Sequence, residues 1–312
     1  MAEVYARTER EFGVLAPPMA LHSPSPPVLA AAWIMLRETL LVDGVTRRAA
    51  REAVAVGVSR ANTCPYCVDV HQAAQEVLSP DDHDPLVEWA QEAGRTHRGQ
   101  PPAALPFVAD EVPELLGVAV VFHYLNRMVS IYLADSPMPQ VTPSALRGPI
   151  MRTVARVMQP RGHVPLVPGA SLDLLPAAPL PHGLEWAEPN PGVAEAFGRA
   201  TAAVDGAARW LPESVREHVA ARLAVWDGHP MGPSRAWLGD IPAEVPEADV
   251  AAARLALLTA LAPYQVTAAD VAAVREQYPA DRSLIELTSW AALAAALTVG
   301  RNVGARLDRW SS

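Results

Sequence analysis

The feature that most constrains this chain is where its prolines fall. Twelve of its 31 prolines lie between Ser136 and Pro191, in runs such as "SPMPQVTPSALRGP" and "VPLVPGASLDLLPAAPLPHG". Proline lacks a backbone donor and breaks helix interiors, so no long regular element can cross this stretch. It reads as an irregular connector with at most one short helix near 148–158. The chain therefore divides into residues 1–140, a connector at 141–190, and residues 191–312. On both sides alanine dominates, aromatic residues make up 6%, and runs of Val, Ile, Thr and Tyr are scarce. That composition favours an all-α fold over a sheet. Half the residues are hydrophobic, enough for a sizeable core. Helices are expected near 28–42, 45–60, 63–78, 84–97 and 111–134, and again near 192–208, 212–226, 247–262, 267–277 and 282–308. Pro85, Pro113, Pro212 and Pro246 sit near helix starts, where proline is tolerated.

The two flanks read as diverged copies of each other. "AREAVAVGVSRANTCPYC" (50–67) lies over "VREHVAARLAVWDGHPMG" (215–232), matching Arg51-Glu52 to Arg216-Glu217. Residues 113–133 lie over 287–307, matching Arg127 to Arg301. Order and spacing are kept, as in an internal duplication. In this register Cys64 falls on His229, Cys67 on Gly232 and His71 on Ala236, so the second copy has no sulfur.

The formal net charge is −9 and the arginines form no basic tract, which disfavours nucleic acid and anionic membranes as partners. Residues 114–133 are apolar but carry His123, Asn126 and Arg127, so they read as a buried helix, and 287–300 is too short to span a bilayer. The first residues, "MAEVYARTEREFGVLAPP", hold no apolar signal core and read as cytoplasmic. Two cysteines in a reducing compartment point to redox or metal chemistry rather than a disulfide scaffold.

Both cysteines fall in "SRANTCPYCVDVHQAAQEV", Ser59 to Val77. Asn62 or Thr63 can cap a helix there, and Pro65 suits its first turn. Cys64, Cys67 and His71 then stand at i, i+3 and i+7, on one face at about 100° per residue. Cα atoms three apart lie about 5 Å from each other, within disulfide range. The positive helix end lowers thiol pKa values. His71 is one turn beyond Cys67 and two beyond Cys64, so spacing makes Cys67 the thiol the imidazole deprotonates and Cys64 its resolving partner. Glu52, on the preceding helix, can reach His71 if that helix turns back, giving a carboxylate–imidazole–thiol relay. Otherwise Glu52 is a solvated residue paired with Arg48 or Arg51.

The run "E…VSRANTCPYCVDVH" resembles the motif E-x11-C-x-x-C-x-x-x-H of the alkylhydroperoxidase AhpD-like, carboxymuconolactone decarboxylase superfamily. Glu52, Cys64, Cys67 and His71 all fall in place. The resemblance covers about residues 28–135 well and 190–308 as a degenerate copy. It implies an all-helical trimer or hexamer that reduces hydroperoxides through a redox-active Cys64–Cys67 disulfide, with no other cofactor. It further implies that Cys67 attacks peroxide, Cys64 resolves, and His71 and Glu52 relay protons. The partners implied are a small hydroperoxide and a dithiol reductant, lipoylated or thioredoxin-like. The expected assembly here is a homo-oligomer, trimer or dimer, with the second half standing in for a subunit. Members that decarboxylate lactones lack the cysteine pair. In some family peroxidases a histidine precedes the second cysteine; Tyr66 stands there in this chain.

Other readings use the same residues. "CPYC" is also the glutaredoxin tetrapeptide, but that fold needs a sheet the sequence does not supply. Zinc could take Cys64, Cys67 and His71, with His22, His83, His97 or His123 as a fourth ligand. The pair could serve a redox sensor or a thiol–disulfide oxidoreductase without peroxidase activity, or be structural. His123 reads as a satisfied core residue, and His163, His182 and His229 as solvated. The tryptophans of the second half (Trp186, Trp210, Trp226, Trp237, Trp290) read as helix packing or a subunit interface.

Overall fold

The computed structural model describes residues 1–79, 84–95, 105–138, 142–157, 165–239 and 245–307. Among these residues the chain is all-α, with no strand. The N-terminal helices are α1 (Ala2–Phe12), α2 (Pro17–Ala20) and α3 (Pro26–Leu36), the last running on into a π-helical turn at Arg37–Leu41. Next come α4 (Arg48–Ala61), α5 (Pro65–Leu78), α6 (Asp84–Ala93), α7 (Val112–Tyr132) and α8 (Ser144–Val157). Beyond the connector lie α9 (Pro191–Ala207), α10 (Glu213–Val225), α11 (Val250–Leu261), α12 (Ala268–Gln277) and α13 (Asp281–Leu307).

The expected helices appear, and two were missed. α1 buries Val4, Thr8, Glu11 and Phe12, a one-face pattern hidden among charged neighbours, and Gly13 (φ 88) ends it in the left-handed conformation. α2 is a single turn begun by Pro17 and Pro18. The connector helix starts at Ser144, earlier than expected, and carries Pro149 in its interior. Residues 96–97, 141 and 158–164 of the expected segments lie outside the described residues.

Two long helices, α7 and α13, pack against each other at the centre. Both are apolar enough to cross a membrane by composition, yet 83% and 78% of their most apolar windows are buried, so they act as core helices. The main core runs from Val4 and Trp33 through Phe122 to Phe197 and Val303, so both flanks of the connector share it. The connector joins this core through Leu172, Leu175, Leu184 and Trp186. Its polar ties run back to the N-terminal helices: Arg7 to Asp173 at 2.6 Å, and Arg37 Nη2 to the Val167 carbonyl at 3.0 Å.

The site depends on four helices. α4 packs on α5, α6 and α7. Gly57 permits the α4–α6 contact, because a Cβ there would lie 2.4 Å from the Val87 carbonyl oxygen. α8 lies on α5, pressing Met151 and Ala155 against a cluster that contains Cys64, Tyr66 and Cys67. The second half closes the back of this unit. Arg306 donates to the Arg95 carbonyl at 2.6 Å, and Gly228 (φ 83) has no room for a side chain against the Gly94 carbonyl.

Candidate active site

A strained turn between α4 and α5 sets the sulfur pair. Asn62 ends α4, and Thr63 adopts φ 53, a left-handed conformation that β-branched residues rarely take. Thr63 N–H donates to the Arg60 carbonyl at 3.1 Å and Cys64 N–H to the Ser59 carbonyl at 2.9 Å, which holds the turn. Cys64 is thereby the N-cap of α5, just outside the helix, and its carbonyl accepts from Val68 N–H at 3.1 Å. Pro65 follows at the first helical position, where its missing donor costs nothing.

Cys64 and Cys67 are free thiols with sulfur atoms 2.9 Å apart, only 2% and 4% exposed. A disulfide requires about 2.0 Å, so the two are unbonded but in contact, and oxidation can join them with little movement. Two sulfurs this close cannot both carry charge easily, so the first proton leaves readily and the second does not. The Cys64 thiol is held below its ordinary value, first by the Cys67 side chain and then by the Cys67 backbone amide. Burial and Asp135 work against that. The Cys67 thiol is pushed well above its ordinary value, first by burial and then by Cys64, with the Asn126 amide opposing. Within the pair the Cys67 thiol is therefore the harder of the two to ionise.

Glu52 is fully buried and meets His71 Nδ1 at 2.6 Å; Arg48 completes the group with Nη2 2.6 Å from the same carboxylate. Burial alone would raise the Glu52 carboxyl, but Arg48 and His71 overcome it and hold the value near 2. The His71 ring is fixed by this bond and by an edge-to-face contact with Phe122, centroids 4.5 Å apart. With Nδ1 committed to Glu52, Nε2 is the nitrogen left to exchange a proton.

Cys67 and His71 share the wall of a cavity of about 390 Å³. Its other walls come from α1, α2, α7, α8 and the segment after α7, through residues such as Phe12, Met19, Phe122, Leu125, Met138 and Met151. Cys64 is not on that wall. An apolar cavity of 150 Å³ holds benzene, so this one takes a larger apolar guest.

Known proteins can now be set beside this geometry. The carboxymuconolactone decarboxylase family model matches residues 27–101. Alkyl hydroperoxide reductase Rv2159c of Mycobacterium tuberculosis is 38% identical over 325 residues, covering 99% of this chain and 92% of that protein. The chain belongs to the carboxymuconolactone decarboxylase family. The family match contains α4, α5 and all four motif residues, whereas the likeness to the reductase spans both halves.

For a member of this family, the four motif residues Glu52, Cys64, Cys67 and His71 lie together, in two contacting pairs. Glu52 pairs with Arg48 and also with His71, so it is no solvated surface residue. Tyr66 is buried, and burial pushes its hydroxyl up to about 12, so it is no stand-in for a proton-shuttling histidine. His123 does not fit the expectation of a satisfied core histidine: Nε2 is buried and has no hydrogen-bond partner among the described residues. His22 is also buried without side-chain partners among them, against Tyr124. His83, His97 and His163 lie outside the described residues. Among the described residues no group of three or more His, Cys, Asp or Glu is arranged to hold a metal ion. The second-half tryptophans pack against rings and arginines: Trp186 on Phe197, Trp210 on Tyr278, and Trp226, Trp237 and Trp290 beneath Arg127, Arg222 and Arg216.

Sequence reasoning missed the polar contact of Asn126, a fully buried amide of α7 whose Nδ2 donates to Ser59 Oγ on α4 at 3.1 Å. It also placed Asn62 as a cap, whereas its side chain turns inward to Asn126 at 3.0 Å and His123 at 3.1 Å. The signal available was an amide among the His123, Asn126 and Arg127 cluster of a largely apolar helix.

Proposed function

We propose that this chain reduces apolar organic hydroperoxides through a Cys64–Cys67 dithiol–disulfide cycle. The observation that carries the reading is a pair of contacting sulfurs of which one, Cys67, shares an apolar cavity wall with His71. The name of the reductase similar over nearly the whole chain supports it.

His71, oriented by Glu52 through Nδ1, accepts the Cys67 proton through Nε2. Cys64 keeps its own proton at this stage, so only one of the two touching sulfurs carries charge, and that proton later goes to the departing hydroxide. The Cys67 thiolate attacks the terminal oxygen of ROOH. The O–O bond breaks, the alkoxide leaves as ROH after taking the proton from His71, and Cys67 becomes a sulfenic acid. Cys64 attacks that sulfur, hydroxide leaves and is protonated to water, and the disulfide forms. The two electrons that reduce the peroxide come from the thiol pair, and an external dithiol restores them. A lipoylated or thioredoxin-like reductant, a homo-oligomer of two or three chains, a cytoplasmic setting and the lack of a further cofactor belong to the same proposal.

The cavity favours bulky apolar hydroperoxides, since hydrogen peroxide leaves its walls unfilled. The test compares cumene hydroperoxide with hydrogen peroxide at steady state, with lipoamide and thioredoxin systems side by side. The expected result is sustained turnover with kcat/KM higher for cumene hydroperoxide. Absence of peroxide-dependent thiol loss with either substrate would refute the reading. Burial of both sulfurs favours a second reading, a stoichiometric dithiol switch; it predicts one equivalent of peroxide consumed and no turnover with either reductant.

A further inference from the structure

Helix α8 is apolar on two sides. Met151 and Ala155 press on the cluster that holds Cys64, Tyr66 and Cys67. One position before each, Ile150 and Val154 are exposed, and with Leu146 and Val157 they form a stripe at helical spacing. All four are at least 38% exposed. Among the described residues no other helix leaves more than one large apolar side chain exposed. A helix that only roofs a site needs one apolar face, so the second face marks an interaction surface. The stripe also forms the rim of the cavity. Ile150 and Val154 line that cavity while exposed to solvent, as does Val14 from the turn after α1, whereas Cys67 on the same wall is buried. The cavity therefore opens to the outside between apolar side chains.

The charge beside the stripe is equally one-sided. Between Asp135 and Asp173 the sequence holds no acidic residue, and it holds Arg147, Arg152, Arg156 and Arg161. Arg152 and Arg156 are exposed on α8, and neither has an ion-pair partner among the described residues. Arg147 feels the charge of Asp69 and donates from Nε to the Thr142 carbonyl at 3.3 Å. The net charge of −9 argues against an anionic surface for the chain as a whole. Exposed charges beyond a Debye length, about 8 Å in physiological salt, are screened, so the arginines beside the stripe decide what it meets. An apolar stripe flanked by unpaired arginines suits an anionic bilayer, with the acyl region under the stripe and phosphates against the guanidinium groups. A second copy paired here about a two-fold axis would set Arg152 and Arg156 against their own counterparts and seal the cavity rim.

We propose that α8, together with Val14, docks this protein on an anionic phospholipid bilayer, and that the cavity's guest is an acyl-chain hydroperoxide carried by that bilayer. With fourteen residues α8 is too short to span the membrane and lies flat in its interface. The docking stands without the peroxidase reading; the nature of the guest rests on it.

The test uses the full-length protein and flotation with two kinds of vesicle, phosphatidylcholine alone and equal parts of phosphatidylcholine and phosphatidylglycerol. The parent is expected to float with the mixed vesicles only, and less so as salt is raised. Leu146→Glu with Val157→Glu should weaken that binding by about tenfold or more. Arg152→Gln with Arg156→Gln should do the same, and these exposed changes keep the test open if the first pair does not fold. With peroxidised phosphatidylcholine in the mixed vesicles as substrate, the Leu146→Glu, Val157→Glu protein should lose about tenfold in rate. Its rate with cumene hydroperoxide should hold, since neither residue lines the cavity. A parent that ignores the mixed vesicles, or binds them undiminished after both pairs of changes, overturns the proposal. So does an oligomer that ignores vesicles and dissociates on Leu146→Glu with Val157→Glu, which assigns the face to a second copy. Vesicle binding by a protein inert to both hydroperoxides upholds the docking and rejects the peroxidase reading; turnover of cumene hydroperoxide without vesicle binding does the reverse.

Discussion

Glu52 and Glu217 follow arginines in segments that align with each other, yet they meet opposite fates. Glu52 is fully buried between Arg48 and His71, whereas Glu217 is exposed on α10. The difference begins twelve residues later. After α4 the chain has Pro65 alone, at a first helical position, so α5 forms and brings His71 back to Glu52. After α10 it has Gly228, Pro230, Gly232 and Pro233, with both glycines at positive φ, and no helix forms until the 3₁₀ turn at Ala236–Leu238. The arginines diverge likewise. Arg51 is buried and donates to the Thr39 carbonyl at 3.4 Å, while Arg216 is partly exposed and lies over Trp290, 5.1 Å from its centroid. A carboxylate is buried and paired here because of the helix that comes after it.

Substitutions can break that comparison. The largest effect is expected from the sulfurs: Cys67→Ser should reduce peroxide consumption to background, and Cys64→Ser should allow a single turnover ending at the sulfenate, trapped with dimedone. Full turnover by Cys67→Ser would reverse the two roles. Next comes Glu52→Gln, expected to lower kcat/KM by about 10²-fold. The same change tests stability. The unfolded Glu52 carboxyl binds a proton near its ordinary 4.5, and the folded one only near 2. As pH falls through that window the unfolded chain takes up the proton first. The roughly 3 kcal/mol this contributes is fully present above pH 4.5 and is lost as pH approaches 2. Urea unfolding at successive pH values should therefore show a steeper acid decline for the parent than for Glu52→Gln.

A third change sharpens the role of packing. Gly57→Ala drives a methyl into the Val87 carbonyl and should cost about 1–3 kcal/mol, with loss of activity as α4 shifts. Gly206→Ala, on α9 with open space around it, should be neutral or stabilising by up to about 1 kcal/mol. The smallest effects belong to the second-half counterparts. Glu217→Gln and His229→Ala should leave kcat/KM unchanged and stability within about 0.5 kcal/mol. A rate loss in either would show that the second half contributes to the chemistry.

Much of the site was legible because it is local. Cys64, Cys67 and His71 lie within eight residues, and helix geometry converts that spacing into adjacency; Pro65 marks where the helix starts. Glu52 was legible only through its motif spacing, since nothing local says that α4 turns back at Thr63. Asn126 and Arg127 gave no sign of their partners, Asn62 and Ser59 for the one and the Ala260 carbonyl for the other. A polar residue in an apolar helix records that something faces it, but not what.

The amino-acid order settled the helical class, the proline-rich break and the four motif residues, because backbone propensity and side-chain spacing act within a turn or two. Tertiary packing alone decided which sulfur meets the cavity, which carboxylate is buried, and how a half without cysteines packs behind the helices of the site. Those outcomes depend on burial and on hydrogen-bond partners more than a hundred residues away, as with Arg127 and Ala260.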